Sequence, residues 1–379
     1  MISIIFLLLS IVSAQNLKIY IFEVGQCDSQ LILFPSGYSI LIDVGENEEW
    51  KPKNGPYVAQ RLQEILGKKY VDVLVLSHVH YDHHGGITNG GIWYLAEKEG
   101  FEFGKFISRD YGEYNGEKYE DCNKDNIDWK IIGSQEFTIS AQVVCYTTST
   151  KDKTKLSKIR EVADICSTSQ IHPPDENSEV QILMSDAKGI SMKNGTRIDQ
   201  DLRHMEVPPN ENDYSICLRI QYGEFVYSSC GDLSGREGNN TSGSNTHDIE
   251  TYVAPMMGEV DLYKANHHGS KTSSNQVWLD TLKPTVTVVS VGEINDSELP
   301  HPEPLERLKN VGSKVYITNN GKPEHTDGYD NITIFGDDIV ITVPKDGRKF
   351  AVARNNGTDV TIYPIKLNKP KRENCRRLD

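Results

Sequence analysis

The chain holds no Cys-x-x-Cys pair among its seven cysteines, so a cysteine-rich zinc module is excluded. Positive charge is scarce: 40 Lys and Arg against 54 Asp and Glu leave a net charge of −14. Nothing global therefore draws the molecule to nucleic acid or to an anionic membrane. Beyond the N-terminus no apolar run approaches the length of a bilayer span. What is present is an ordinary globular composition, 37% hydrophobic and 25% charged over 379 residues. That length suits one large domain or two average ones, with ample sequence for a buried core.

Met1–Ala14, "MISIIFLLLSIVSA", reads as a signal peptide: apolar from Ile2 to Val12 except for Ser3 and Ser10, with small residues at Ser13 and Ala14. A mature chain starting at Gln15 and exported is the expectation. Asn-x-Ser/Thr sequons at Asn194, Asn239, Asn240, Asn295, Asn331 and Asn356 point to the same secretory compartment. There Cys122, Cys145 and Cys166 are candidates for a bridge, while an odd total leaves at least one thiol free.

Short aliphatic and β-branched runs predict strands at 17–24, 30–34 and 38–45, then a helix at 57–69 and a buried strand at 71–77. Residues 92–100 read as helical. From about 109 to 210 the texture is polar and turn-rich, which predicts a surface insertion, with an amphipathic helix at 156–166 and a strand at 179–186. Order returns with a hairpin over 213–232, strands near 260–270, 285–292 and 314–321, and a helix from "PEPLERLKNVG". Strand-to-helix alternation in both halves predicts two facing sheets with helices outside. One domain over 15–365 is expected, followed by a basic tail at 366–379 with no periodic pattern.

The chemistry concentrates in "LVLSHVHYDHHGG" (74–86). His78, His80 and Asp82 are two apart, so an extended backbone projects them to one side, and His83 points elsewhere. His78 and His80 converge on one metal ion, while Asp82 and His83 supply a neighbouring one; zinc favours such nitrogen and oxygen donors. A polar, glycine-ended surface loop is the bland alternative, and a His-x-His-x-Asp-His string behind a buried strand argues against it. Two further donors stand at strand ends: Asp232 after "FVYSSCG", placed to bridge two ions, and His267 after "DLYKAN".

Together, "EVGQCDSQLILFPSGYSILIDVG" (23–45), "LSHVHYDHHGG" (76–86), "NDYSICLRIQYGEFVYSSCGD" (212–232), "KANHHGSKTSS" (264–274) and "VSVGEINDSELPHPEPLERLKNVGSKVYIT" (289–318) resemble the metallo-β-lactamase superfamily. Within it the resemblance is strongest to the hydrolase-like domain of bacterial DNA-uptake competence proteins, and it extends over roughly 17–320. It implies an α/β fold, a four-layer αβ/βα sandwich with metals between the strand ends of its sheets. It implies two zinc ions, with manganese the alternative, on His78, His80, Asp82, His83, Asp232 and His267. Asp43 is then a residue that fixes the histidine loop without touching metal. Cys27 replaces the glycine usual in the family. A further histidine that many relatives use as third ligand of the first metal has only His172 and His204 as candidates here.

In that frame Asp82 orients the attacking water and His268 donates to the leaving group. "GSKTSS" offers a helix-opening nest, in which Ser270 and Lys271 would meet an anionic substrate. A secreted phosphodiesterase or nuclease is the leading expectation. The acidic surface favours a small or single-stranded phosphoester over duplex, since duplex affinity rests on Lys and Arg. A lactam, lactone or thioester hydrolase on the same centre is the alternative, and a non-catalytic secreted binding protein a third. No membrane span is expected.

Overall fold

Period-two alternation decides which way each strand faces. In the strand Leu17–Ile21, Leu17, Ile19 and Ile21 pack into one core and Tyr20 into another. Cys217–Tyr222 behaves alike: Leu218, Ile220 and Tyr222 join the first of these cores, while Cys217 faces the opposite way. Strands with two apolar faces need cover on both sides, and this chain supplies it. The computed structural model describes residues 16–46, 54–87, 90–111, 138–149, 153–187, 192–193, 196–197, 209–239, 245–293, 297–345 and 347–375.

The first sheet runs, in spatial order, Thr361–Pro364, Lys349–Arg354, Ile339–Val343, Leu17–Ile21, Ser29–Leu33, Ser39–Val44, Tyr70–Val75, Glu102–Ser108 and Arg160–Val162. It is antiparallel up to Ser39–Val44 and parallel beyond. The second runs Ile332–Ile334, Lys314–Ile317, Val286–Val289, Leu262–Lys264, Phe225–Ser229, Cys217–Tyr222 and Ser178–Met184. Here the first five strands are parallel and the last two antiparallel additions.

One core lies between the sheets and joins Ile19, Ile42 and Val75 to Ile220, Leu262 and Val288. A second holds the helices Ile249–Met257, Gln276–Leu282 and Pro302–Asn310 against the back of the second sheet, through Val253, Leu279 and Leu305. A third seats Asn54–Leu66 and Thr138–Thr148 on the back of the first, through Val58, Leu62 and Tyr146. The four-layer αβ/βα sandwich expected from the motifs is the fold observed. Parallel strands place their carboxyl ends together, and the histidine-bearing segments all leave from those ends.

Several local expectations change. Residues 156–166 form no helix: Leu156 and Ile159 turn into the core, and Arg160–Val162 pairs as a parallel edge strand with Glu102–Ser108. Tertiary pairing outweighs the helical spacing. Within 109–210, Thr138–Thr148 and Ser178–Met184 belong to the layers of the sandwich. The basic tail, although it lacks a periodic pattern, is docked over residues 366–375. Lys369 pairs with buried Asp261 at 2.9 Å, Arg372 donates to Gln181 Oε1, and Cys375 bridges to Cys166.

That bridge also replaces the expected pairing of Cys166. Cys217 bonds to Cys230 across the hairpin, Cys145 is disulfide-bonded, and Cys27 is a buried free thiol. Cys122 lies outside the described residues. Asn331 is buried with Nδ2 donating to the Ser313 carbonyl, which leaves a glycan no room; Asn356 sits on an exposed turn. Asn194, Asn240, Asn295 and residues 1–15 lie outside the description, and no described helix is long and apolar enough to cross a membrane.

Ile341 is fully buried between the sheets and paired with Ile19. Ile341→Ala should lower stability by about 2–5 kcal/mol, read as a drop in urea midpoint at unchanged m-value.

Candidate metal centre

Tyr70–Val75 delivers the chain into the histidine loop, where Tyr81–His84 makes a single helical turn. Asp43 organises this turn from below. It holds a left-handed backbone (φ 59°) and is fully buried. Its Oδ1 accepts from the Ser77 amide at 2.7 Å, and its Oδ2 faces Ser77 Oγ at 2.7 Å and His83 Nδ1 at 2.8 Å. With Nδ1 engaged, His83 presents Nε2 to the centre, which is how a carboxylate fixes the tautomer of a ligating imidazole. Gly45 matters for the same loop: a Cβ there would run into the Asp82 carbonyl oxygen.

The second sheet contributes Asp232, just past Phe225–Ser229, and the segment after Leu262–Lys264. His267 and His268 are both left-handed, at φ 48° and 51°. Two such residues in succession cost roughly 1–2 kcal/mol each, and the surroundings impose the conformation. The His267 amide donates to Gly231 O, the Ser270 amide returns to His267 O, and Asn266 Nδ2 donates to buried Glu250. The consequence is that neighbouring rings point to opposite ends of one carboxylate.

Asp232 divides the donors. Its Oδ2 stands 3.8 Å from His78 Nε2 and 3.7 Å from His267 Nε2, and His78 Nε2 is 3.0 Å from His80 Nδ1. Its Oδ1 stands 3.2 Å from His83 Nε2 and 3.8 Å from His268 Nε2. Asp82 Oδ2 completes that second set, 3.4 Å from His268 Nε2 and 3.9 Å from His83 Nε2. His268 Nδ1 is tied to Ser290 O at 2.9 Å, so it too turns Nε2 inward.

Electrostatics follow from this crowding. Burial opposes charge on His83, yet Asp232, Asp82 and Asp43 raise its pKa well above the ordinary value. Burial and then His83 push His78 well below it. Asp82 falls to about 2 despite burial, chiefly through His83 and His268. His83 Nε2, His268 Nε2 and Asp232 Oδ1 nevertheless make no hydrogen bond. Buried, inward-facing and unsatisfied, these atoms form a donor set that divalent cations fit; binding would replace protons that the histidines otherwise carry.

No family model matches the chain. Over 115 residues it is 28% identical to Recombination protein 2 of Haemophilus influenzae, a match covering 30% of this chain and 13% of that protein. Over 112 residues it is 28% identical to ComE operon protein 3 of Bacillus subtilis, with the same shares. Only about an eighth of these relatives' length is thus spanned. Among solved structures it is similar to unliganded yeast PDE1, at 11% identity, a TM-score of 0.37, and coverage of 85% of this chain and 98% of that one.

His78, His80, Asp82, His83, Asp232 and His267, singled out as metal ligands by motif, converge here. His172 does not: it is exposed on a loop, its backbone beside Tyr38. His204 lies outside the described residues. His267 instead faces the same Asp232 oxygen as His78. His268, expected as a proton donor, has Nδ1 tied to Ser290 O and turns Nε2 toward Asp82 and Asp232. The nest is also altered. The helix opens at Asn275, Ser273 Oγ donates to Leu233 O, and Thr272 Oγ1 lies 3.2 Å from His267 Nδ1. Ser270 is nearly buried, its Oγ against Thr272, and Lys271 is exposed. Cys27 holds no left-handed backbone, so its side chain is tolerated. Asp28 and Lys264, buried beside the centre, stand in the stretches 23–45 and 264–274 that carry the family resemblance, Asp28 in a signature near the site floor, but the sequence did not show that they meet.

Asp43→Ala should weaken metal binding about 10- to 100-fold, measured by chelator competition, with far-UV circular dichroism unchanged.

Proposed function

We propose that this chain is a metal-dependent hydrolase with a dinuclear centre that cleaves a small or single-stranded phosphoester. The observation that carries the reading is the division of donors by Asp232, one oxygen toward His78, His80 and His267 and the other toward His83, His268 and Asp82. Divalent ions, zinc first among them, would lower the pKa of water and polarise the ester oxygen when held by these two sets.

The protein's own part is positioning and charge. Asp43 and Ser290 O set the faces of His83 and His268. Thr272 and Asn212 flank the His267 ring. Asp82, partly open to solvent and held ionised, is placed to orient a water. Lys271 follows the tandem histidines by three positions, exposed and without an ion pair among the described residues. An exposed cation so near the centre in sequence supports an anionic substrate, and a net charge of −14 disfavours duplex. The Cys166–Cys375 and Cys217–Cys230 bridges support passage through an oxidising compartment, in keeping with a signal peptide at 1–14.

Chelation should abolish cleavage of a model phosphodiester, and zinc should restore it. Lys271→Ala should reduce turnover of the anionic diester about tenfold, the equivalent of one charge-assisted hydrogen bond, and leave a neutral ester nearly unchanged. Single-stranded ends should be cut faster than duplex. A chromogenic lactam or a thioester cleaved in preference to every diester would overturn the phosphoester assignment.

A further inference from the structure

Asp28 is fully buried and lies on the loop between the first two strands of the chain. Its main chain is spoken for: the amide donates to Asp82 O at 2.9 Å and the carbonyl accepts from Gly45 N at 2.9 Å. Its Oδ2 accepts from Lys264 Nζ at 2.8 Å, an ion pair buried on both sides. Its Oδ1 makes no hydrogen bond among the described residues. Yet a donor atom of Asp28 lies within 4.8 Å of donor atoms of His83, Asp232 and His268, each within the same distance of the others. A carboxylate oxygen left bare in such a place is unfavourable. Lys264 satisfies the other oxygen, and a cation would satisfy this one.

We propose that Asp28 Oδ1 is a further ligand of the ion held by His83, His268, Asp82 and Asp232, and that Lys264 is the residue that aims it. The proposal rests on the metal reading of the centre. Lys264 gives the carboxylate one occupied oxygen and one free one, as orienting partners do around ligating groups. It also places a fixed positive charge among several carboxylates, limiting their mutual repulsion.

The two positions then differ in kind. One offers two imidazoles, His78 and His80, with a single Asp232 oxygen that His267 also faces. The other offers two imidazoles with oxygens from Asp82, Asp232 and Asp28. Nitrogen-rich surroundings suit zinc, whereas an oxygen-rich set with more donors accommodates a harder ion such as manganese. The centre is therefore built for two unlike ions.

The test uses the full chain, stripped by chelator and titrated with Zn²⁺ or with Mn²⁺, the metal content being read by elemental analysis. Wild type should take up two ions. Asp28→Asn should bind one of them as wild type does and the other at least about tenfold more weakly, the loss typical of disturbing even an outer partner of a metal. Lys264→Met should weaken the same ion. Unchanged affinities in Asp28→Asn, or equal weakening of both ions, would overturn the proposal.

A second measurement needs no variant. Wild type given one equivalent each of Zn²⁺ and Mn²⁺ should, by native mass spectrometry, hold one of each. A statistical mixture of zinc–zinc, mixed and manganese–manganese species would count against unlike sites. Wild type that binds no metal would overturn the hydrolase reading too, whereas two bound ions with an indifferent Asp28→Asn would overturn only this proposal.

Discussion

The centre depends on Asp232 being held still. Gly231 before it is left-handed, and a Cβ there would press on Ser77. The Asp232 amide donates to Ser215 Oγ, and the Ile216 amide donates to Ser77 O at 2.9 Å. Through these short contacts the end of the second sheet is stitched to the start of the histidine loop on the first. The Cys217–Cys230 bridge closes the hairpin immediately before the aspartate. Donors that arrive from two sheets thus meet at one carboxylate whose backbone cannot drift toward either.

Such a meeting is electrostatically expensive. Burial disfavours every charge in it, and the carboxylates remain ionised only because histidines and Lys264 surround them. The protein supplies partial compensation through Asp43, Ser290 and Lys264, all of which fix orientation without filling the middle. The remaining imbalance couples cation binding to folding, because whatever satisfies these atoms stabilises the native chain alone.

Short-range pattern made much of this legible. Alternating aliphatic residues gave the strands between Leu17 and Ile317, and the dense string from His78 to His83 announced metal chemistry without any structure. What escaped was long-range. Asp28 and Lys264 are far apart in sequence, and neither carries a periodic signal, so only the closed sandwich shows that they touch. The tail's docking rests on Cys166 meeting Cys375 and on Lys369 meeting Asp261, which composition cannot foresee. The different allegiances of His267 and His268 follow from two left-handed residues, a backbone choice that histidine identity does not disclose. Ile339–Val343 and Lys349–Arg354 do alternate, and that signal was available for the strands that complete the first sheet.

Those late strands have a consequence for how the molecule comes into being. Leu17–Ile21, near the start of the chain, is flanked on one side by Ser29–Leu33 and on the other by Ile339–Val343. While the chain is being synthesised, this strand therefore presents an open hydrogen-bonding edge until residues 339–343 have been made. An apolar edge of this kind invites pairing with other nascent chains. Closing it requires a contact across more than three hundred residues, the sort of non-local step that sets a slow folding rate. Closure of the first sheet accordingly waits for a strand made more than three hundred residues after its partner.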